Sequence, residues 1–287
     1  MQIKALLSES HQEFIADLKS KKRATATILA YSKDTKQLID YLASVNKKQC
    51  DEARTKDIEN FMADLSKKNY TNKSISRKTN STKTFFKFLK SKGYITDDPA
   101  APVTHPKYET KPPRVLSKME YRALRDVCRN DIRISAIVEL LLQTGIRIGE
   151  LANLKLEDLS DTHLNIKPYE SHASRSIPLN KTAQKSLKRY LKIRQKTPEK
   201  TVFVTKTGRP LLIRNIRTAI DRYFRLTGIK NAKVNDLRHT WITHQLASGA
   251  SLLLVSKLAG HKRLSTTEKY LDLVQDKVEE KVKLEEL

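Results

Sequence analysis

Four residues of this 287-residue chain have the types and spacing needed to break a phosphodiester bond. Tyr270 lies nine positions after His261 in the run Gly260-His261-Lys262-Arg263-Leu264-Ser265-Thr266-Thr267-Glu268-Lys269-Tyr270. Arg238 lies upstream in Asp236-Leu237-Arg238-His239-Thr240, and Arg147 in Thr144-Gly145-Ile146-Arg147-Ile148-Gly149-Glu150-Leu151. A phosphodiester attacked by an anionic oxygen gains negative charge on its non-bridging oxygens, and planar guanidinium groups neutralise that charge through paired hydrogen bonds. Arg147 and Arg238 suit that task. A phenol with an ordinary pKa near ~10 needs a base or a cationic field to attack at neutral pH, and His261 is the nearest candidate in the sequence. Taken singly, each residue has a plainer use. Arg147 can pair with Glu150 three positions on, Arg238 can be a generic phosphate contact, His261 can start a helix, and Tyr270 can be a half-buried aromatic. Their joint spacing argues for a site.

Composition narrows the partner. Lys and Arg number 56 against 32 Asp and Glu, a formal charge of +24 spread over both halves of the chain. Such an excess favours a polyanion such as nucleic acid over a small neutral or anionic substrate, although charge alone would equally serve solubility. Cys50 and Cys128 are the only cysteines, too few for a disulfide framework or a cysteine metal site, and they suit a reducing cytoplasm. No apolar run approaches the roughly 20 residues that span a bilayer, and the amino terminus lacks a charged-then-apolar signal pattern. A soluble cytoplasmic protein without membrane contact is expected.

Elements that could position the four residues follow from periodicity. A helix is predicted over Phe14 to Leu18, and a second with Ile28, Tyr31, Thr35, Leu38, Ile39 and Leu42 on one face. A third carries Ile58, Phe61, Met62 and Leu65. A fourth carries Ile75, Thr79, Thr82, Phe85, Phe86 and Leu89 and ends near Gly93. Phe85, Phe86 and Phe88 could stack on bases, but their spacing reads as core. Pro99, Pro102, Pro106, Pro112 and Pro113 deny both helix interior and sheet ladder, which predicts a linker. The chain thus divides into a helical domain over 1–97, a linker over 98–113 and a larger domain over 114–287. In the latter, Ser117 and Glu120 form a capping box, and a buried helix runs from Ile132 to about Gln143. A β-hairpin fits His163 to Leu179, and helices are expected around 182–196, 212–226, 237–247 and 252–258. Val274, Val278 and Val282 form an apolar stripe on a charged carboxy-terminal helix that could dock on a neighbour or pack on its own domain.

Together the motifs around Arg147, Arg238, His261 and Tyr270 resemble the tyrosine recombinases, the family of phage integrases and Xer proteins, over nearly the whole chain. The resemblance implies a mainly α fold with a small β-sheet: a helical amino-terminal core-binding domain that clamps DNA, and an α+β tyrosine-recombinase catalytic domain. It further implies double-stranded DNA as partner and a homo-tetramer on paired sites. Strands would be exchanged through a 3′-phosphotyrosine intermediate and a Holliday junction, with no metal or nucleotide cofactor. Two positions depart from the family pattern. Asn235 stands where His or Lys is common, and it can donate a hydrogen bond to phosphate but cannot hold a charge. Alignment of Arg175-Ser176-Ile177-Pro178-Leu179 with the second hairpin strand puts Glu170 where the family carries a lysine that protonates the leaving 5′-oxygen. Lys167 is the first substitute for that lysine and His172, in the turn, the second. His239 and His244 are read as structural.

The expected activity is that of a divergent but active site-specific recombinase, because Arg147, Arg238, His261 and Tyr270 are intact. Two rivals stand beside it. One is a recombinase-fold DNA-binding protein that has lost catalysis, and the other a strand-relaxing enzyme resembling type IB topoisomerases.

Overall fold

Apolar residues three and four apart build the first of two compact units, residues 1–110 and 111–287, in the computed structural model, which describes residues 5–109, 111–169 and 172–274. The first unit consists of α1 (Leu7–Ser20), α2 (Thr25–Ser44), α3 (Thr55–Lys67) and α4 (Asn72–Ser91). Phe14, Leu38, Leu42, Phe61 and Leu89 meet in its core. Phe85 and Phe86 are fully buried there, Phe88 nearly so, and Phe14 packs edge-on against Phe85 at 5.2 Å. The aromatic trio is therefore packing, as its spacing indicated.

A polar seam crosses this core where periodicity gave no sign of one. Buried Asp34 on α2 accepts hydrogen bonds from Arg77, from Lys78 at 2.9 Å and from Ser81 at 3.1 Å, all on α4. The proline-rich stretch expected as a linker lies along α4 for most of its length. Ala100 and Val103 are buried in the helical core, Ser76 Oγ meets His105 Nδ1 at 3.2 Å, and Asn72 donates to the Lys107 carbonyl at 3.0 Å. Proline forbids a helix here but not the burial of neighbouring apolar side chains, so the unit reaches beyond the boundary expected at residue 97.

The second unit contains α5 (Lys118–Cys128), α6 (Ile132–Thr144), α7 (Ile148–Asn153), the hairpin β1 (His163–Ile166) and β2 (Arg175–Pro178), α8 (Lys181–Ile193), α9 (Ile213–Leu226), α10 (Val234–Ala247), α11 (Leu252–Ala259) and α12 (Ser265–Glu268). Ser117 and Glu120 make the expected reciprocal cap, with Glu120 N donating to Ser117 Oγ at 3.2 Å and Ser117 N to Glu120 Oε2 at 2.8 Å. The strands pair antiparallel with Leu164 opposite Ile177, which puts both side chains into the core. Helix α12 has four residues, too short for apolar periodicity to reveal. Val274 is buried beside Trp241 and Tyr270 in its own unit, while Val278 and Val282 lie outside the described residues. No helix among the described residues is long and apolar enough to cross a membrane.

One glycine decides how α6 meets α10. Gly145 ends α6 in the left-handed conformation (φ 61°), and a Cβ there would stand 2.2 Å from Cε3 of Trp241 on α10. Gly228 is also left-handed (φ 70°) but has nothing within 4 Å. Gly228→Ala should cost only the backbone penalty of about 1 to 2 kcal/mol. Gly145→Ala adds an overlap of about 1 to 3 kcal/mol to that penalty. Urea unfolding of both variants checks the difference, and equal costs would refute the steric account.

Candidate active site

Arg147 occupies the position before α7, and Glu150, the third helical residue, caps it by accepting from Arg147 N at 2.9 Å. The same carboxylate then leaves solvent entirely, with a side-chain exposure of 0%. It accepts two parallel hydrogen bonds from Arg175 on β2, at 2.8 and 2.7 Å, and one from Arg147 Nη1 at 3.1 Å. Burial alone would raise the Glu150 pKa. The fork from Arg175, the Arg147 N–H and the charges of both arginines outweigh burial and hold it at about 2.

The carboxy-terminal end of α11 supplies the second anchor. Gly260 caps that helix in the left-handed conformation (φ 67°), and a Cβ there would meet Arg175 Nη1 at 2.8 Å. Arg175 Nε donates to the Leu258 carbonyl at 2.7 Å and Arg238 Nη2 to that of Ala259 at 2.7 Å. Arg147 reaches the carbonyls of Ala259 at 3.1 Å and Gly260 at 2.7 Å. These are the carbonyls that a helix end leaves unpaired, and they carry the negative end of its dipole. Arg238, buried on α10, also donates to the carbonyl of Gly145. Burial and the charge of Arg147 push its pKa down to about 9, which leaves it cationic at neutral pH.

Tyr270 follows α12 and is 5% exposed. Its ring lies edge-on to His239 at 5.9 Å and parallel to His261 at 6.4 Å. Burial raises the phenol pKa, and Arg238 and Arg147 pull it back. His261 is pushed down to about 4 by burial and by Arg238, Arg147 and Arg175, so its ring is neutral at physiological pH. Arg147, Arg238, Asn235, His239, Tyr169 and His172 line one cleft of about 340 Å³. The geometry can hold an anion against fixed cations, and the ring of Tyr270 packs against His239 of the cleft lining.

The structure thus brings Arg147, Arg238, His261 and Tyr270 into one unit and puts Asn235 at the rim, exposed at the start of α10. It does not bring Lys167 there. That side chain is 56% exposed and turned to Glu157 and to Asp158 (3.2 Å), because the strand end places it beside those carboxylates. His172 lines the cleft instead, and Glu170 lies outside the described residues. His239, expected to be structural, stands at the cleft beside Tyr270, whereas His244 faces solvent. Arg175 was missed as a site residue. It shares the period-two inward face of β2 with Ile177, and a charged residue on that face was the available signal.

Family models match both units: the phage integrase family over residues 114–276 and the phage integrase N-terminal SAM-like domain over residues 12–93. The tyrosine recombinase XerC of Staphylococcus saprophyticus is 29% identical over 282 residues, 95% of each chain. A crystal structure of XerA recombinase superimposes with TM-score 0.55 at 26% identity, covering 96% of this chain and 99% of that one. A lambda integrase tetramer bound to a Holliday junction gives TM-score 0.75 at 18% identity, covering 90% and 78%. The chain belongs to the phage integrase family of tyrosine recombinases. It is a tyrosine-type site-specific recombinase, and neither the non-catalytic nor the topoisomerase-like reading is favoured.

Because the Glu150 carboxyl is held below its unfolded pKa, its stabilisation is complete above about pH 4.5 and is lost as pH falls toward about 2. Glu150→Gln should destabilise the second unit by about 3 to 5 kcal/mol at pH 6, since it leaves buried guanidiniums without a counter-charge. The gap between wild type and variant should narrow by about 2 kcal/mol at pH 3. Urea unfolding at both pH values measures it, and a gap independent of pH would show that Glu150 is not the ionised anchor.

Proposed function

We propose that Tyr270 is the nucleophile with which this recombinase cleaves and rejoins duplex DNA, with the Arg147–Arg175–Arg238 cluster as the charge that receives the phosphate. The observation that carries this reading is the placement of a buried phenol beside a cleft lined by Arg147 and Arg238. Tyr270 Oη forms a bond to phosphorus, the bond from phosphorus to the 5′-oxygen breaks, and a 3′-phosphotyrosine remains. Its phenolic proton passes to a flanking imidazole as the oxygen attacks. Arg147 and Arg238 compensate the charge that develops on the non-bridging oxygens, and Asn235 donates a neutral hydrogen bond from the rim. Attack by a 5′-hydroxyl reverses the step, so no bond energy is lost to water.

The departing 5′-oxygen needs a proton, and His172 is the group at the cleft suited to give it. Burial and then Arg147 lower the pKa of His172, and a phosphodiester in the cleft would bring the opposite charge that raises it. Lys167 pairs with Glu157 and Asp158 and is not among the residues that line the cleft. The first unit supplies a further DNA-binding surface. Exposed Lys73, Lys87 and Lys90 lie on α4, a helix without a single acidic residue. Like the lambda integrase tetramer on its Holliday junction, the protein would act as a homo-tetramer on paired sites, in the cytoplasm.

On a nicked duplex carrying the recombination site, wild type should form a covalent adduct that survives denaturing electrophoresis, and Tyr270→Phe should bind the same duplex and form none. An adduct with the phenylalanine variant would assign the nucleophile elsewhere. His172→Ala should slow cleavage about 10²-fold on ordinary DNA. On a duplex whose scissile 5′-oxygen is replaced by sulfur it should lose little, because a thiolate leaves without a proton. Equal losses on both substrates would remove His172 as the donor.

A further inference from the structure

Thr267 is fully buried in the single turn of α12, and its hydroxyl lies 2.7 Å from Nδ1 of His261. Its main chain is committed elsewhere, with its N–H on the Leu264 carbonyl at 2.7 Å and its own carbonyl accepting from Tyr270 N at 3.0 Å. One residue therefore touches both the imidazole and the backbone of the phenol. Among the described residues the Thr267 hydroxyl has no other hydrogen-bond partner. A buried hydroxyl that only accepted from His261 would leave its own proton unpaired, at a cost of about 1 to 3 kcal/mol. A hydroxyl that donates to Nδ1 satisfies both groups. The neutral imidazole has a single proton, and that proton must then sit on Nε2.

We propose that Thr267 is a positioning residue that fixes His261 in the Nε2–H tautomer, so that His261 Nδ1 is not the base that takes the phenolic proton. The proposal rests on the reading above in which the phosphate occupies the cleft. His261 lines the adjoining groove between β2 and α11 together with Arg175, Gly260 and Lys262. His239, edge-on to Tyr270 and with its Nδ1 3.5 Å from Asp236 Oδ1, is left as the imidazole to accept the phenolic proton.

Nitrogen-15 NMR of the histidine-labelled full chain, free of DNA, reads the tautomer directly. The result expected is a protonated Nε2 and an unprotonated Nδ1 for His261, assigned with His261→Gln. A protonated Nδ1 in wild type overturns the proposal whatever the enzyme's activity. Thr267→Val should shift the ring toward a mixture of tautomers and slow adduct formation on the nicked duplex about 10- to 100-fold. Thr267→Ser should restore both the tautomer and the rate to within about twofold. A serine variant as slow as valine, with the tautomer unchanged, would reduce Thr267 to packing. The tautomer arm needs no substrate, so its failure is distinct from failure of the recombinase assignment of Tyr270.

Discussion

Three like charges must be kept together without substrate, and the remainder of the catalytic unit is arranged around that constraint. Arg147, Arg175 and Arg238 come from three separate elements and would repel one another in a buried setting. One fully buried carboxylate, Glu150, and the unpaired carbonyls of α11 answer the repulsion. The two anchors differ in kind. Glu150 contributes a full charge through a bidentate fork to Arg175, whereas the helix end contributes oriented dipoles that reach all three guanidiniums. Gly260 makes the second anchor geometrically available, since its left-handed turn exposes the carbonyls and its missing side chain admits Arg175.

The same arrangement sets the chemistry of the groups around it. Cations in a partly dry site keep His261 neutral and draw the Tyr270 phenol back from the rise that burial imposes. A neutral imidazole can carry its proton on either nitrogen, so its role depends on a neighbour too small to be seen as catalytic, the hydroxyl of Thr267. Arg147 and Arg238 already have carbonyl and carboxylate partners, which orient their planes before any phosphate arrives. Preorganisation of this kind spares the transition state the cost of gathering charge.

What was legible in the sequence follows from how far each signal reaches along the chain. Long amphipathic helices such as α2 and α4, the Ser117–Glu120 cap and the hairpin are governed by neighbours within a few residues, so residue order suffices to predict them. Short α12 and the burial of Ala100 and Val103 depend on partners far along the chain, and periodicity is silent about both. Arg175 lay in between: its place on the inward face of β2 could be read, but its partner could not.

The sequence by itself indicated the class of chemistry, because the joint spacing of an arginine pair, a histidine and a tyrosine argues for a site and resembles that of the tyrosine recombinases. It also determined the helical character of both units and the positive charge they carry. Only the tertiary structure decided which cations form the site, that Lys167 belongs to Glu157 and Asp158 while His172 reaches the cleft, and that Glu150 is shared by two arginines. The reason is physical. A side chain's type sets what it can do, but its protonation state, orientation and partners depend on burial and on groups as far as a hundred residues or more along the chain, as Ala259 is from Arg147.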